Sequence, residues 1–571
     1  MTSRPLEPLP TGLAEGLTDP RAYPDDPSAA GGVRWIQTHL SHVFLTGARV
    51  YKLRKAVSFG FVDFGTRAAR NADCVRELTL NRRLAPDVYL SVAPADETAD
   101  GVRVGKATTE PDPARFTADP RELVLVMRRL PDGKDALSLL ERGALRAHHL
   151  DAVAHTLARF HAQHRLGVPS PWSPEEWRDR VHRPVQDNVA VTTGRVDENR
   201  AAWQRLGRRA QEFAERHAAA FEARRLAGRA VDGHGDVHLQ HVWFETDRAA
   251  PILIDCLEFR EDLRQIDAAA EVAFLAMDLA YRGRARWAAR FLRTYAAEAD
   301  DFDLYRVIDY FLSYRAAVRA KVAALASVDA DIAPEQRAAA ARSAARHLSF
   351  AVRALAARPK GAIALVAGVV GTGKSTAAAA LADATNGVVI ASDRVRKHLA
   401  GLAVEDRSGA ATGLYSDASK NAVYAALLDR AAAVLDGGRV AILDATYASR
   451  AHRDAVVAFA RSRGLGVTIL EAVCDAATAR ARLARRAVRG SDASDAGPDR
   501  YERSVAEFDP IATEDGVSVH RIGTHESRWR RQVVAVAREI VRGRKASRIS
   551  QGRHERGSTG TDHASDARAK R

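Results

Sequence analysis

Cysteine is scarce: Cys74, Cys256 and Cys474 are the only three in 571 residues, far apart and without a C-x-x-C pair. That excludes a disulfide framework and a zinc ribbon, and the three read as structural thiols. No apolar run reaches about 18 residues, so no membrane-spanning helix is encoded. Asp19, Asp25 and Asp26 lie among the prolines of the opening segment, where a secretion signal would be basic and then apolar. These absences predict a soluble, cytoplasmic chain with no membrane partner. Aromatic residues are 6% of the total and thin out after residue 361, which argues against a base-stacking surface. Acidic residues are outnumbered, 72 against 86 Lys and Arg, for a net charge of +14. Such an excess suits anionic partners. Yet +4 of it lies in the Ser/Gly/Arg-rich stretch 545–571, and much of the rest lies on Ala-rich helical stretches with solvated faces. Nucleic acid is therefore not the expected partner.

What remains is ordinary globular composition, 46% hydrophobic and 28% charged, in a chain too long for one core. Two runs, His42–Leu45 and Val50–Leu53, flank Gly47 and predict a hairpin. A helix is predicted over 69–85 and a strand over Leu123–Met127, followed by mostly helical sequence to about 230. Then come the compact stretch His234–His241, a strand Ile252–Ile254, and long helices over 265–357. Strand and helix alternate from Ile363 to about 543. The expected organisation is a flexible segment 1–32, an α+β domain 33–345, a junction 346–361, an α/β domain 362–543 with a parallel sheet, and a disordered basic tail 544–571.

The strongest motif is Gly368-Val-Val-Gly371-Thr372-Gly373-Lys374-Ser375-Thr376, a complete G-x-x-x-x-G-K-[ST] pattern between a predicted strand and a predicted helix. Glycines let the backbone approach phosphate closely, and a helix starting at Lys374 adds its positive end. The pattern assigns Lys374 to the β/γ-phosphates of ATP, Ser375 to Mg²⁺, and Thr376 to packing or the α-phosphate. Two further strands end in carboxylates. Val388–Ala391 leads to Asp393 and Arg396, and residues past the carboxyl end of a parallel strand face the ligand crevice. Asp393 reads either as a base for an acceptor hydroxyl or as a helix cap, and Arg396 either as a substrate anchor or as a surface charge. Val440–Leu443 leads to Asp444, which reads as a water-mediated Mg²⁺ ligand or as a turn residue. Arg480, Arg482, Arg485, Arg486 and Arg489 follow the strand Val467–Val473, and Arg482 and Arg486 are the candidates for a lid that brings countercharge. This half resembles the small P-loop kinases, a group that includes gluconate kinase and zeta toxin. The resemblance implies phosphoryl transfer to the hydroxyl of a small metabolite.

The first half carries His234-Gly235-Asp236-Val-His238-Leu-Gln240-His241 and then Ile254-Asp255-Cys-Leu-Glu258. One carboxylate in a tight turn and another after a strand supply what phosphoryl transfer needs, a base and a metal ligand. This stretch resembles the aminoglycoside phosphotransferase and choline kinase group of the protein-kinase-like fold. The resemblance implies that Asp236 is the base and Asp255 a metal ligand. It further implies that Lys52, or alternatively Lys55, pairs with ATP phosphates, that Glu77 orients the lysine, and that Val126-Met127 lies at the adenine hinge. Where the group has an asparagine metal ligand, this chain has His241, and imidazole is a poorer ligand for hard Mg²⁺. That departure and the single Gly47 in place of a glycine-rich loop keep a second reading open, a nucleotide-sensing module without turnover. A nucleic-acid end kinase is a third reading. Taken whole, the chain resembles bacterial fusions of an aminoglycoside phosphotransferase domain with an AAA-type ATP-binding domain.

Overall fold

Alternation along the strand Arg49–Arg54 explains the first half: Tyr51 and Leu53 face one apolar layer, while Lys52 and Arg54 face the opposite side. The computed structural model describes residues 6–59, 62–246, 248–404, 416–489 and 500–558. It forms two compact units, the first Met1–Val181 with Arg225–Asp278, the second His182–Arg224 with Leu279–Arg571.

In the first unit an antiparallel sheet has the order Arg34–Gln37, Ser41–Leu45, Arg49–Arg54, Glu122–Arg128, Tyr89–Thr98, Gly101–Val104. The hairpin at Gly47 pairs the two predicted runs, with Phe44 opposite Tyr51 and Leu45 opposite Val50. The helix Arg67–Asn81 crosses the face that carries Lys52 and buries Cys74, Val75 and Leu78 against Leu123 and Leu125. The opening segment differs from the flexible linker expected for 1–32. Leu13, Leu17, Ala22, Tyr23 and Ala29 are buried against Phe44, Tyr51 and Leu53. Buried Asp26 accepts hydrogen bonds from Thr46 Oγ1 at 2.7 Å and Ser28 Oγ at 2.6 Å. Its apolar residues are isolated among prolines, so they form anchors without any period a sequence pattern could show.

The second unit contains a five-stranded, all-parallel sheet in the order Val388–Ala391, Val440–Asp444, Ala362–Ala367, Val467–Val473, Val517–Gly523. The chain order reverses at Ala362–Ala367, which places the crevice at that strand's carboxyl end. Register brings Val366 and Ala391 level with Asp444, so three strands deliver their carboxyl ends to one rim. The helices Ala285–Ala299 and Leu304–Ser327 belong to this compact unit and are tied to the sheet domain by ion pairs, Glu298 to Arg394 at 3.0 Å and Asp309 to Arg439 at 2.6 Å. The unit is therefore cut differently from the sequence boundary at 346–361. The tail also differs from its reading as disordered from residue 544: the helix Trp529–Ser558 starts by packing Val533, Val536 and Ile540 onto Ala377 and Leu381, and the backbone stays helical past residue 544. Residues 559–571 lie outside the described residues. Among the described residues no helix is long and apolar enough to cross a membrane.

Candidate functional site

The loop after Ala362–Ala367 has Gly368, Gly371 and Gly373 at φ of 139°, 81° and 87°. A Cβ on Gly368 would lie 2.4 Å from the Ala472 carbonyl oxygen, and one on Gly371 2.8 Å from that of Ala479. Only glycine permits this path, which leaves backbone N–H groups to line a concave turn at the start of the helix Lys374–Thr385. Such a turn fits a phosphate chain. Thr372 is buried; its hydroxyl donates to Val369 O at 2.9 Å, and its carbonyl accepts from Thr524 Oγ1 at 2.5 Å. Lys374 Nζ donates to Val369 O at 2.9 Å. Burial holds its ammonium below the ordinary lysine value, while the carboxylates of Asp444 and Asp393 pull it upward. Ser375 and Thr376 are exposed on a cleft of about 1150 Å³.

That cleft also receives Asp393, Arg396, Asp444, Arg482 and Arg486. Asp444 is buried at the end of its strand. The helix Ser392–Leu399 is capped by Ala391 with no side-chain bond, so Asp393 is not its cap; its carboxylate accepts instead from Arg396 Nη1 at 2.5 Å. Arg482 is fixed, donating to Thr524 Oγ1 at 2.8 Å and Thr524 O at 3.0 Å, whereas Arg480 pairs with Glu502 away from the cleft lining. The Arg489 side chain lies outside the described residues. Sequence reasoning missed the cleft's other wall. Tyr424 and His452 stack with ring centroids 3.9 Å apart, and Tyr424 Oη accepts from the Tyr447 N–H at 3.2 Å. Arg293 and Thr294 arrive from the helix Ala285–Ala299. These residues are remote in sequence, and no local motif marks them.

In the first unit Lys52 Nζ lies 2.8 Å from Glu77 Oε1 and 3.3 Å from Asp255 Oδ1, while Lys55 Nζ bonds Gln37 on an exposed edge. The geometry selects Lys52. Burial alone would lower its ammonium, but Glu77 and Asp255 outweigh burial and hold it above the ordinary value. Asp255 shows the converse: burial would raise it, yet the Lys52 ammonium, with Arg54 beyond it, holds it well below the usual carboxylate range. Asp255 takes a positive φ of 64°, and its N–H donates to Tyr89 Oη at 2.9 Å.

The turn carrying Asp236 is fixed from beneath. Gly235 sits at φ 84°, where a Cβ would meet Leu257 Cδ1 at 2.9 Å. Buried Glu271 accepts from the Gly235 N–H at 3.0 Å and the His234 N–H at 3.2 Å. His234 bonds through Nε2 to Ile254 O at 2.9 Å and accepts the Asp236 N–H on Nδ1 at 3.3 Å. Burial pulls its imidazole down to about 3, so it is a neutral structural group. His241 lies between the carboxylates, with Nδ1 3.4 Å from Asp236 Oδ2 and Nε2 3.5 Å from Asp255 Oδ2. Met127 is the last residue but one of the strand Glu122–Arg128, opposite Val50 and Tyr89, partly buried against the core under the helix Arg67–Asn81. Arg54, Asp73, Glu258 and Glu271 were not anticipated. Arg54, two residues past Lys52 and so on the same strand face, pairs with Asp73 at 2.7 Å, Glu77 at 2.6 Å and Glu258. Burial pushes the Glu258 carboxyl up to about 8 against the pull of Arg54.

Comparison with known proteins finds two families along the chain. The family described as "Phosphotransferase enzyme family" matches residues 76–309, and that described as "AAA domain" matches 363–511. Uncharacterized protein Rv2004c of Mycobacterium tuberculosis is 33% identical over 441 residues, covering 76% of this chain and 81% of its own. Among solved structures, choline kinase from Cryptosporidium parvum aligns at 11% identity over 59% of this chain and 92% of its own, with a TM-score of 0.36. A gluconokinase from Sinorhizobium meliloti aligns at 18% identity over 33% of this chain and 97% of its own, with a TM-score of 0.24. The chain belongs to the family of the mycobacterial protein, and it carries a kinase-like phosphotransferase domain ahead of a P-loop domain of the AAA type.

Proposed function

We propose that the chain is an ATP-dependent phosphotransferase with two centres, in modules 33–345 and 362–543, each moving the γ-phosphate to a hydroxyl of a small metabolite. The observation that carries this reading is the P-loop cleft, where Lys374 sits between the glycine cradle and two carboxylates, Asp393 and Asp444. Asp393, turned by Arg396, takes the proton of the acceptor hydroxyl as its oxygen attacks phosphorus. Lys374 neutralises charge on the β/γ-phosphates, with Arg486 and the fixed Arg482 adding countercharge. Ser375 and Asp444 are the residues suited to hold Mg²⁺, which when bound neutralises phosphate charge. In the other module Asp236 is the base, Lys52 oriented by Glu77 holds phosphate, Asp255 and His241 are the metal ligands, and Met127 borders the adenine.

A second reading keeps the P-loop centre and makes the first module a nucleotide sensor without turnover. It is favoured by His241, which stands where a hard oxygen donor suits Mg²⁺ better. ADP release by the full chain against sugars, aminoglycosides and nucleosides, in wild type, Lys374→Ala and Asp236→Asn, separates the readings. Loss of one subset of acceptors in each variant supports two centres; an Asp236→Asn profile identical to wild type supports the sensor.

A further inference from the structure

The hydrogen bonds around His241 fix which of its nitrogens is free to hold a cation. Nδ1 lies 2.8 Å from the backbone carbonyl oxygen of Asp236. A carbonyl cannot donate, so Nδ1 carries a proton, and the tautomer this bond selects whenever the ring is neutral has its lone pair at Nε2. That nitrogen faces Asp255 Oδ2 at 3.5 Å, so in the neutral tautomer the ring and the carboxylate turn two lone pairs into one gap. Two donors each about 2.1 Å from one ion at a tetrahedral angle stand roughly 3.4 Å apart, so the gap suits a metal ion. An imidazole held by Nδ1–H to a carbonyl is the arrangement that orients Nε2 toward a metal.

His238 belongs to the same cluster but not to the same donor set. Its Nδ1 accepts the Gln240 N–H at 3.3 Å, which places its proton on Nε2, pointing at Asp236 Oδ2 at 3.7 Å. With its Nε2 turned toward Asp236, His238 adds no donor to the gap between His241 and Asp255, and those two residues form the seat.

We infer that His241 Nε2 and Asp255 Oδ2 select a first-row transition-metal dication, with Mn²⁺ as the probe, over Mg²⁺ at this centre. The inference rests on reading the first module as a nucleotide-dependent phosphotransfer site and names the ion it takes. Imidazole nitrogen binds Mn²⁺, Co²⁺ and Zn²⁺ better than Mg²⁺, which prefers oxygen and keeps its water. The remaining ligands come from nucleotide phosphates and water.

The test uses the full chain carrying Lys374→Ala, which weakens the P-loop site, with a non-hydrolysable ATP analogue. Mn²⁺ binding is followed by electron paramagnetic resonance and displaced with Mg²⁺, and pulsed spectra report nitrogen coupled to the bound ion. The expected result is nitrogen coupling that disappears in His241→Asn, together with a fall of about tenfold or more in Mn²⁺-over-Mg²⁺ preference. Bound Mn²⁺ without nitrogen coupling, or an unchanged preference in His241→Asn, overturns the inference. If that variant does not fold, the Lys374→Ala parent decides alone: coupled nitrogen and weak displacement by Mg²⁺ support the seat, and their absence refutes it. Coupling without phosphate transfer by any ion would leave the metal seat standing and remove the phosphotransfer reading, so the two failures are distinguishable.

Discussion

Lys52 Nζ and Glu77 Oε1 meet at 2.8 Å between the central strand and the helix Arg67–Asn81, and Glu77 turns its other oxygen to Arg54 at 2.6 Å. One carboxylate that is 1% exposed thus serves two cations. Removing it leaves both buried without their shared partner. Glu77→Ala is expected to destabilise the first unit by about 3–5 kcal/mol, read as a fall in the urea midpoint. Lys52→Met, which removes a charge and keeps the stem, should cost less stability and abolish nucleotide binding in this module. Equal midpoints for Glu77→Ala and wild type would contradict the shared-anchor account.

His234 gives a pH signature. Its imidazole is pulled down to about 3 by burial, while the unfolded chain protonates near 6.5. Between those values the unfolded state binds more protons, so this group makes stability rise with pH across that window and fade as pH falls through it. The difference in urea midpoint between wild type and His234→Gln should widen from pH 4 to pH 7. A difference constant with pH would show that His234 titrates alike in the folded and unfolded chain, against its burial as a neutral group.

Asp393 separates chemistry from capping. The cap position is Ala391, and the Asp393 carboxylate accepts from Arg396 at 2.5 Å. Asp393→Asn should reduce P-loop phosphoryl transfer by about two orders of magnitude or more, with ATP affinity and melting temperature nearly unchanged. Arg396→Lys, which loses the fork that orients the carboxylate, should raise KM for the acceptor more than for ATP. A melting temperature lowered with turnover retained would assign Asp393 a structural role.

The parts legible in the sequence were those that local chemistry dictates. The strands Ala362–Ala367 and Val388–Ala391 fall where their apolar runs predict, because a strand buried on both faces of a parallel sheet shows itself as an unbroken apolar run, and Val467–Val473 stayed legible although Thr468 and Glu471 interrupt it. The phosphate loop was legible because its glycines are needed one by one. Tyr89–Thr98 was not, since its Pro94 and polar end hide the alternation. Glu271, which supports the Asp236 turn from the first turn of its helix, and Tyr424, which lines the P-loop cleft from a helix interior, belong to no local motif that would mark their roles. The packing of residues 13–29 under the first sheet escaped for the same reason: single anchors carry no period.

The helix Ala285–Ala299 matters for how the P-loop half is assayed. Its Arg293 pairs with Asp383, its Glu298 pairs with Arg394 at 3.0 Å, and its Arg293 and Thr294 line the cleft. Arg293→Ala should therefore lower P-loop turnover by several-fold, measured as ADP release in an Asp236→Asn background. Turnover equal to that background would show that the helix is only packing.

The most direct measurement is acceptor-dependent ADP release by four full-length chains, wild type, Lys374→Ala, Asp236→Asn and the double variant, over one panel of hydroxylated metabolites. Two centres predict that each single variant loses transfer to its own acceptors by about 10²-fold or more, keeps the other's, and that the double variant loses both. Lys374→Ala abolishing all transfer while Asp236→Asn changes none would contradict the account and leave a single P-loop centre.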